Sequence, residues 1–219
     1  MPLQPLANGV DNGHAMYRLL MGCDIADSVI VDNLDFDAHI FACLLAVAAA
    51  EQGSLSERLG LGKNDLAALI DRWFSHARGM LAASFGAGVE DEDDEIAMVR
   101  DLLLANRSKS DDESRWLAAM VARRALEPNH LWEDLGLRGR SELSRLLARH
   151  FGPLAARNTT NMRWKRFFYR TLCEDDGLVL CSTPVCTACG DFDLCFGDES
   201  GDSRLAYRRR ELALKAVAA

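Results

Sequence analysis

Apolar residues recur along this chain at three- and four-residue intervals, the spacing that lays one face of a helix against a core. Strand-type runs of Val, Ile and Thr are scarce, while Ala, Leu and Arg are abundant. The pattern predicts helices near 14–22, 37–51, 64–78, 92–106, 113–127, 140–150, 160–173 and 203–216, with short helical turns near 55–60 and 131–135. From 174 to 201 the periodicity stops, and Asp, Gly, Thr and Pro recur instead, so this stretch reads as irregular. The expected fold is all-α, a helical bundle.

The pattern also repeats. FACLLAVAAAEQGSLSERLGL at 41–61 aligns with LAAMVARRALEPNHLWEDLGL at 117–137 at a constant offset of 76. Glu51 matches Glu127, Leu55 matches Leu131, and Leu59-Gly60-Leu61 matches Leu135-Gly136-Leu137. After one inserted residue, Leu66 matches Leu143, Leu69-Ile70 matches Leu146-Leu147, and Arg72-Trp73-Phe74 matches Arg149-His150-Phe151. Each unit reads as a long helix, a tight Leu-Gly-Leu turn and a second helix, with Gly where a helix end needs a left-handed residue. The expected organisation is a helical domain over 1–173, built on hairpins near 37–78 and 113–151. A cysteine-rich loop over 174–201 and a terminal helix or tail over 202–219 follow.

Composition narrows the function. At 219 residues and 49% hydrophobic, the chain can bury a sizeable core. A net charge of −8 argues against a general nucleic-acid binder, which needs a basic surface. No apolar run reaches membrane-spanning length, and the first ten residues lack the basic start and apolar core of a signal peptide. A cytoplasmic protein with reduced thiols is expected, without nucleic acid or membrane as partner. The acidic run Glu90-Asp91-Glu92-Asp93-Asp94-Glu95 reads as the dipole-complementing start of the helix IAMVRDLLLANR. No general base, nucleophile or phosphate-cradling loop stands out, so the chain does not read as an enzyme. The histidines, His14, His39, His76, His130 and His150, read as ordinary hydrogen-bonded residues, His39 with Cys43 one turn on being the nearest thing to a metal pair.

The chemistry concentrates in LCSTPVCTACGDFDLCFG. There Cys181, Cys186, Cys189 and Cys195 are spaced Cys-x4-Cys-x2-Cys-x5-Cys. Four thiols within fifteen residues, separated by Pro184 and Gly190 and followed by Gly197, suit an iron–sulfur cluster or a structural zinc. Zinc ribbons place ligands as two Cys-x2-Cys pairs; only one, Cys186 and Cys189, is present, so the spacing favours iron–sulfur and leaves zinc and a redox dithiol as alternatives. Cys23 and Cys43 read as structural thiols. Ahead of the loop, NMRWKRFFYRTLC places Trp164, Phe167, Phe168 and Leu172 on one helical face and Arg163, Arg166, Arg170 and Cys173 on another. The arginines read as a cationic wall able to offset cluster charge or attract an oxyanion, and Cys173 as a candidate fifth ligand.

The run HLWEDLGLRGRSELSRLLARHFGPLAARNTTNMRWKRFFYRTLC, together with the cysteine spacing and DFDLCFG, resembles the NifQ family strongly over 130–198 and more weakly over 37–127. The resemblance implies an iron–sulfur–molybdenum carrier that supplies molybdenum for the iron–molybdenum cofactor of nitrogenase. It implies a Mo–Fe–S cluster on Cys181, Cys186, Cys189 and Cys195, with molybdate as source. It implies as partners the cofactor scaffold NifEN and the nitrogenase iron protein NifH. Set against this are an Fe–S electron-transfer or regulatory protein, whose cluster stays in place, and a zinc-stabilised interaction module.

Overall fold

A computed structural model describes residues 9–86 and 93–175, and these are helical throughout, with no strand among them. The helices are α1 (Gly9–Met21), α2 (Asn33–Ala49), α3 (Leu55–Leu59), α4 (Lys63–Trp73), α5 (Arg78–Leu81), α6 (Asp94–Ala105), α7 (Asp112–Ala125), α8 (Leu131–Asp134), α9 (Arg140–His150), α10 (Gly152–Arg157) and α11 (Trp164–Asp175). The segments expected near 174–201 and 203–216 lie outside the described residues, apart from the end of α11.

Four helix starts follow from local capping chemistry. Asp32 caps α2 and forms a reciprocal box with Asp35. Ser54 and Glu57 do the same for α3. Asp93 and Asp111 accept from backbone N–H groups at the starts of α6 and α7, satisfying donors that have no partner within the helix. Asp93, Asp94 and Glu95 thus act as a helix start, as expected for the described end of the acidic run.

Two corrections concern breaks. The helix expected over 64–78 stops at Phe74, whose backbone (φ −140°, ψ 45°) leaves the helical region before α5 begins. The matched Phe151 breaks the second half in the same way (φ −133°, ψ 45°), and α10 follows, a helix the periodicity did not reveal. In each case a fully buried phenylalanine turns the chain, so packing overrides the local helical pattern. The last helix starts at Trp164, four residues later than expected, because Asn158 closes a loop by bonding to the backbone of Met162 in both directions.

The aligned positions occupy matching environments. Leu55, Leu59, Leu61, Leu66, Leu69, Ile70 and Phe74 are buried, and so is each of their counterparts in the second half. The contacts are also reciprocal, which is the mark of a local two-fold relation. Gly60 (φ 64°) sits against α7, where a Cβ would lie 3.3 Å from the Ala119 carbonyl oxygen and 2.9 Å from the Arg123 Cβ. Gly136 (φ 71°) sits against α2, where a Cβ would lie 3.0 Å from the Cys43 carbonyl oxygen and 2.4 Å from the Val47 Cγ2. Ala119 and Arg123 are the offset partners of Cys43 and Val47. The exchange extends to charge: Asp37 of α2 pairs with Arg149 of α9, and Glu113 of α7 pairs with Arg72 of α4. His39 meets Glu142 as Arg115 meets Asp65. The likeness reaches beyond the hairpins seen in the sequence, since α1 packs against α2 as α6 packs against α7. The shared core lies between these halves, and α11 lies against α6 at its edge.

Candidate metal centre

Cys181, Cys186, Cys189 and Cys195 lie outside the described residues. What the structure gives is the helix leading toward them. α11 ends at Asp175, six residues before Cys181. Its buried face is Trp164, Phe167, Phe168 and Thr171; Leu172, expected in that row, is only half-buried beside the core. The helix is fixed at both ends. Lys165 near its start donates to the Asp134 carboxylate at 2.6 Å and to the Glu127 carbonyl. Burial lowers the Lys165 pKa, an effect that the Asp134 carboxylate partly offsets. Tyr169 donates its hydroxyl to Glu95 in the first turn of α6, and burial with that carboxylate pushes its pKa upward.

The last turn carries Glu174 and Asp175, which oppose the negative end of the helix dipole. Arginines answer both: Arg170 Nε donates to Glu174 at 2.6 Å, and Arg157 of α10 holds Asp175 through two nitrogens at 2.8 and 3.3 Å. The Arg157 guanidinium keeps the Asp175 pKa below the usual carboxylate range. The expected cationic wall is therefore partly neutralised. Arg163 precedes the helix rather than lying on its face, and its carbonyl accepts from Phe167 N–H. Arg166, Arg170 and Cys173 remain half-buried on α11 at helical spacing, and Cys173 is a free thiol.

The other described thiols are isolated from one another. Cys43 is buried, and burial, with the nearby Glu142 charge, pushes its pKa far above the ordinary thiol value, so it stays protonated and inert. It packs on His39, with Sγ 3.5 Å from Nε2. The Tyr17 hydroxyl lies 2.6 Å from His39 Nδ1, and His39 Nε2 lies 3.3 Å from Glu142. His39 is thus a knot joining α1, α2 and α9. Among the described residues no group of three or more His, Cys, Asp or Glu is placed to hold a metal ion. No helix among them is long and apolar enough to cross a membrane.

A constellation that the sequence reading missed lies where the two halves meet. Asp37, Ser114 and His150 come together, with His150 Nε2 at 3.0 Å from Asp37 Oδ1 and His150 Nδ1 at 3.4 Å from the Ser114 hydroxyl. Arg149 grips the same Asp37 at 2.6 and 2.8 Å. Burial raises the Asp37 pKa, but hydrogen bonds from His150 and Arg149 outweigh it and hold the carboxyl below its usual range. Ser114 is only 1% exposed, so the arrangement reads as a polar joint between α2, α7 and α9, not a nucleophile facing substrate. These three residues are far apart in sequence. The signal that could have found them is the repeat itself, which pairs Asp37 with Glu113 and Arg149 with Arg72.

Comparison with known proteins covers most of the described helices together with the cysteine segment. The NifQ family profile matches residues 40–197, a span that includes all four cysteines. A "Protein NifQ homolog" of Sinorhizobium fredii is 42% identical over 175 residues, 78% of this chain and 76% of that protein. "Protein NifQ" of Rhodobacter capsulatus is 41% identical over 73% of this chain and 87% of its own length, and that of Azotobacter vinelandii is 41% identical over 64% and 78%. No solved structure matches. With a profile matching well over half its length and relatives 41% and 42% identical over 73% and 78% of it, the chain belongs to the NifQ family.

Proposed function

We propose that this protein carries molybdenum as a Mo–Fe–S cluster and supplies it for assembly of the nitrogenase iron–molybdenum cofactor. The observation that carries the reading is the Cys-x4-Cys-x2-Cys-x5-Cys motif lying inside the stretch matched by the family profile. The cluster is cargo here. Molybdate is a hard oxyanion, whereas thiolate and sulfide are soft ligands; transfer into a sulfur environment is the chemical change a donor to an iron–sulfur cofactor must bring about. Cys181, Cys186, Cys189 and Cys195 are the proposed ligands, Cys173 an additional one, and Arg166 and Arg170 the nearby cations. The proposed acceptor is the cofactor scaffold NifEN, with the nitrogenase iron protein NifH assisting, all in the cytoplasm. The protein binds and releases its cargo and turns over no substrate.

Incubating anaerobically loaded protein with scaffold or a molybdenum chelator tests the carrier role. Molybdenum should leave the protein and appear on the scaffold. Full retention against both would contradict a carrier and favour a cluster that stays in place.

A further inference from the structure

The matched halves do not meet seamlessly. At their junction, beside the two exchanged ion pairs, is a cavity of about 390 Å³. Its walls include three sets of matched positions: Asp37 with Glu113, Arg72 with Arg149, and Trp73 with His150. The cavity therefore sits on the local two-fold relation, a place where one copy of each side chain serves each half.

Symmetry separates structural duty from the rest. The pairs Asp37–Arg149 and Glu113–Arg72 are duplicated, so they belong to the frame. Three features are not. His150 stands where the first half has Trp73, and Ser114 stands where it has Ala38. Lys109, just before α7, brings a cation to the rim. The first half keeps its Glu113–Arg72 ion pair without a matching imidazole or hydroxyl, so the duplicated ion pairs do not require them. All three changes add polar hydrogen-bonding capacity to one wall.

We propose that this cavity binds a small tetrahedral oxyanion, and that molybdate is the ligand in the role proposed above. This inference rests on that function for the identity of the anion, not for the existence of the site. Three carboxylates face the same space and must be answered first. Asp37 is held by Arg149 and His150, and Glu113 lies in an ion pair with Arg72, its buried Oε1 accepting no hydrogen bond among the described residues. Asp111 accepts from the Ser114 N–H at the positive end of α7. Donors remain after these engagements. A guanidinium carries five N–H groups, and Glu113 approaches Arg72 through Nε. Lys109 has no hydrogen bond or ion pair among the described residues and touches Asp111 only through the longer-range field. Guanidinium forks and an ammonium are the donors that recognise oxyanions. The volume holds such an anion with part of its water shell, taking about 30 Å³ per water.

Equilibrium dialysis of the full-length, metal-free chain against labelled molybdate tests the site. The partner variants are Lys109→Glu and Ser114→Ala. The wild type should bind one molybdate per chain. Lys109→Glu should weaken binding at least tenfold while its thermal unfolding midpoint stays put, because Lys109 is exposed and holds nothing together. Ser114→Ala should weaken it less. Competition by excess sulfate and phosphate that displaces molybdate equally supports a general oxyanion site; resistance to both assigns the site to molybdate. Absence of binding by the wild type, or equal binding by Lys109→Glu, overturns the proposal. A chain that loads molybdenum into its cluster but fails this dialysis loses only the cavity site. One that passes it and never carries molybdenum with iron loses only the carrier function.

Discussion

The helical frame and the cysteine segment handle reactive side chains in opposite ways. Among the described residues thiols stand singly: Cys43 is buried and forced to stay protonated, and Cys23 and Cys173 are each half-buried away from the other described thiols. The charges of the frame are matched across the two halves, as in Asp37 with Arg149, Glu51 with Arg124 and Asp65 with Arg115. In the segment 181–195, four thiols crowd together in a stretch without helical periodicity. One region uses chemistry to hold a shape. The other concentrates thiols at a metal-ligand spacing that helical periodicity does not explain. A carrier that must release its cargo, the role proposed above, benefits from such a division of chemistry.

The sharpest way to break that contrast is to remove a ligand. Cys186→Ser or Cys189→Ser should lower metal loading more than tenfold in anaerobic metal analysis, with the far-UV circular dichroism and melting midpoint of the helices unchanged. A variant that unfolded outright would show the segment to be a structural staple, as zinc sites often are.

The reverse experiment perturbs the frame. Gly136→Ala places a Cβ against Val47 and the Cys43 carbonyl in a left-handed conformation, and should cost about 2–4 kcal/mol in denaturant unfolding. Gly60→Ala should cost less, since its added Cβ would come within 2.9 Å of its nearest neighbour, the Arg123 Cβ, against 2.4 Å from the Val47 Cγ2 at Gly136. In both variants the folded fraction should load metal normally.

Acid sharpens the contrast further. Burial alone would raise the Glu142 pKa, but hydrogen bonds from His39 and Arg138 bring it down to about 2 from an ordinary 4.5. Asp37 is also held below its usual value. A depressed carboxyl stabilises the fold above its unfolded pKa, and that stability is lost as pH falls toward the folded value. The melting midpoint should therefore drop between about pH 4.5 and 2, with Glu142 contributing on the order of 1–2 kcal/mol. In Glu142→Gln that acid-dependent drop should shrink; an unchanged profile would show that the pair with His39 contributes nothing.

The smallest effect concerns the link between the regions. Replacing Arg166 and Arg170 together by Gln should reduce molybdenum loading a few-fold and iron loading less. Equal losses of both metals would end the idea that these cations draw in an oxyanion, particularly as Glu174 already engages Arg170.

Much of the frame is legible in the sequence because it is set by local rules. Leu-Gly-Leu turns, capping Asp and Ser residues and apolar spacing all act within a few positions of themselves. Phe74 and Phe151 end their helices for a different reason: burial against distant helices outweighs a helical pattern that continues on paper. The junction cavity is less legible still. Asp37, Ser114 and His150 carry no motif, and only the reciprocal packing of the halves brings them together. For the cysteines the balance is reversed. Their spacing alone marks them as candidate ligands, whereas the face assigned to Arg163 depended on a helix start that the Asn158 loop moves to Trp164.

Metal content and the paramagnetic spectrum of protein isolated without oxygen, from cells supplied with molybdate, test the central claim most directly. Molybdenum should be present together with iron and acid-labile sulfide, and all three should be lost in Cys186→Ser. Iron and sulfide without molybdenum, or a single zinc per chain, would contradict it.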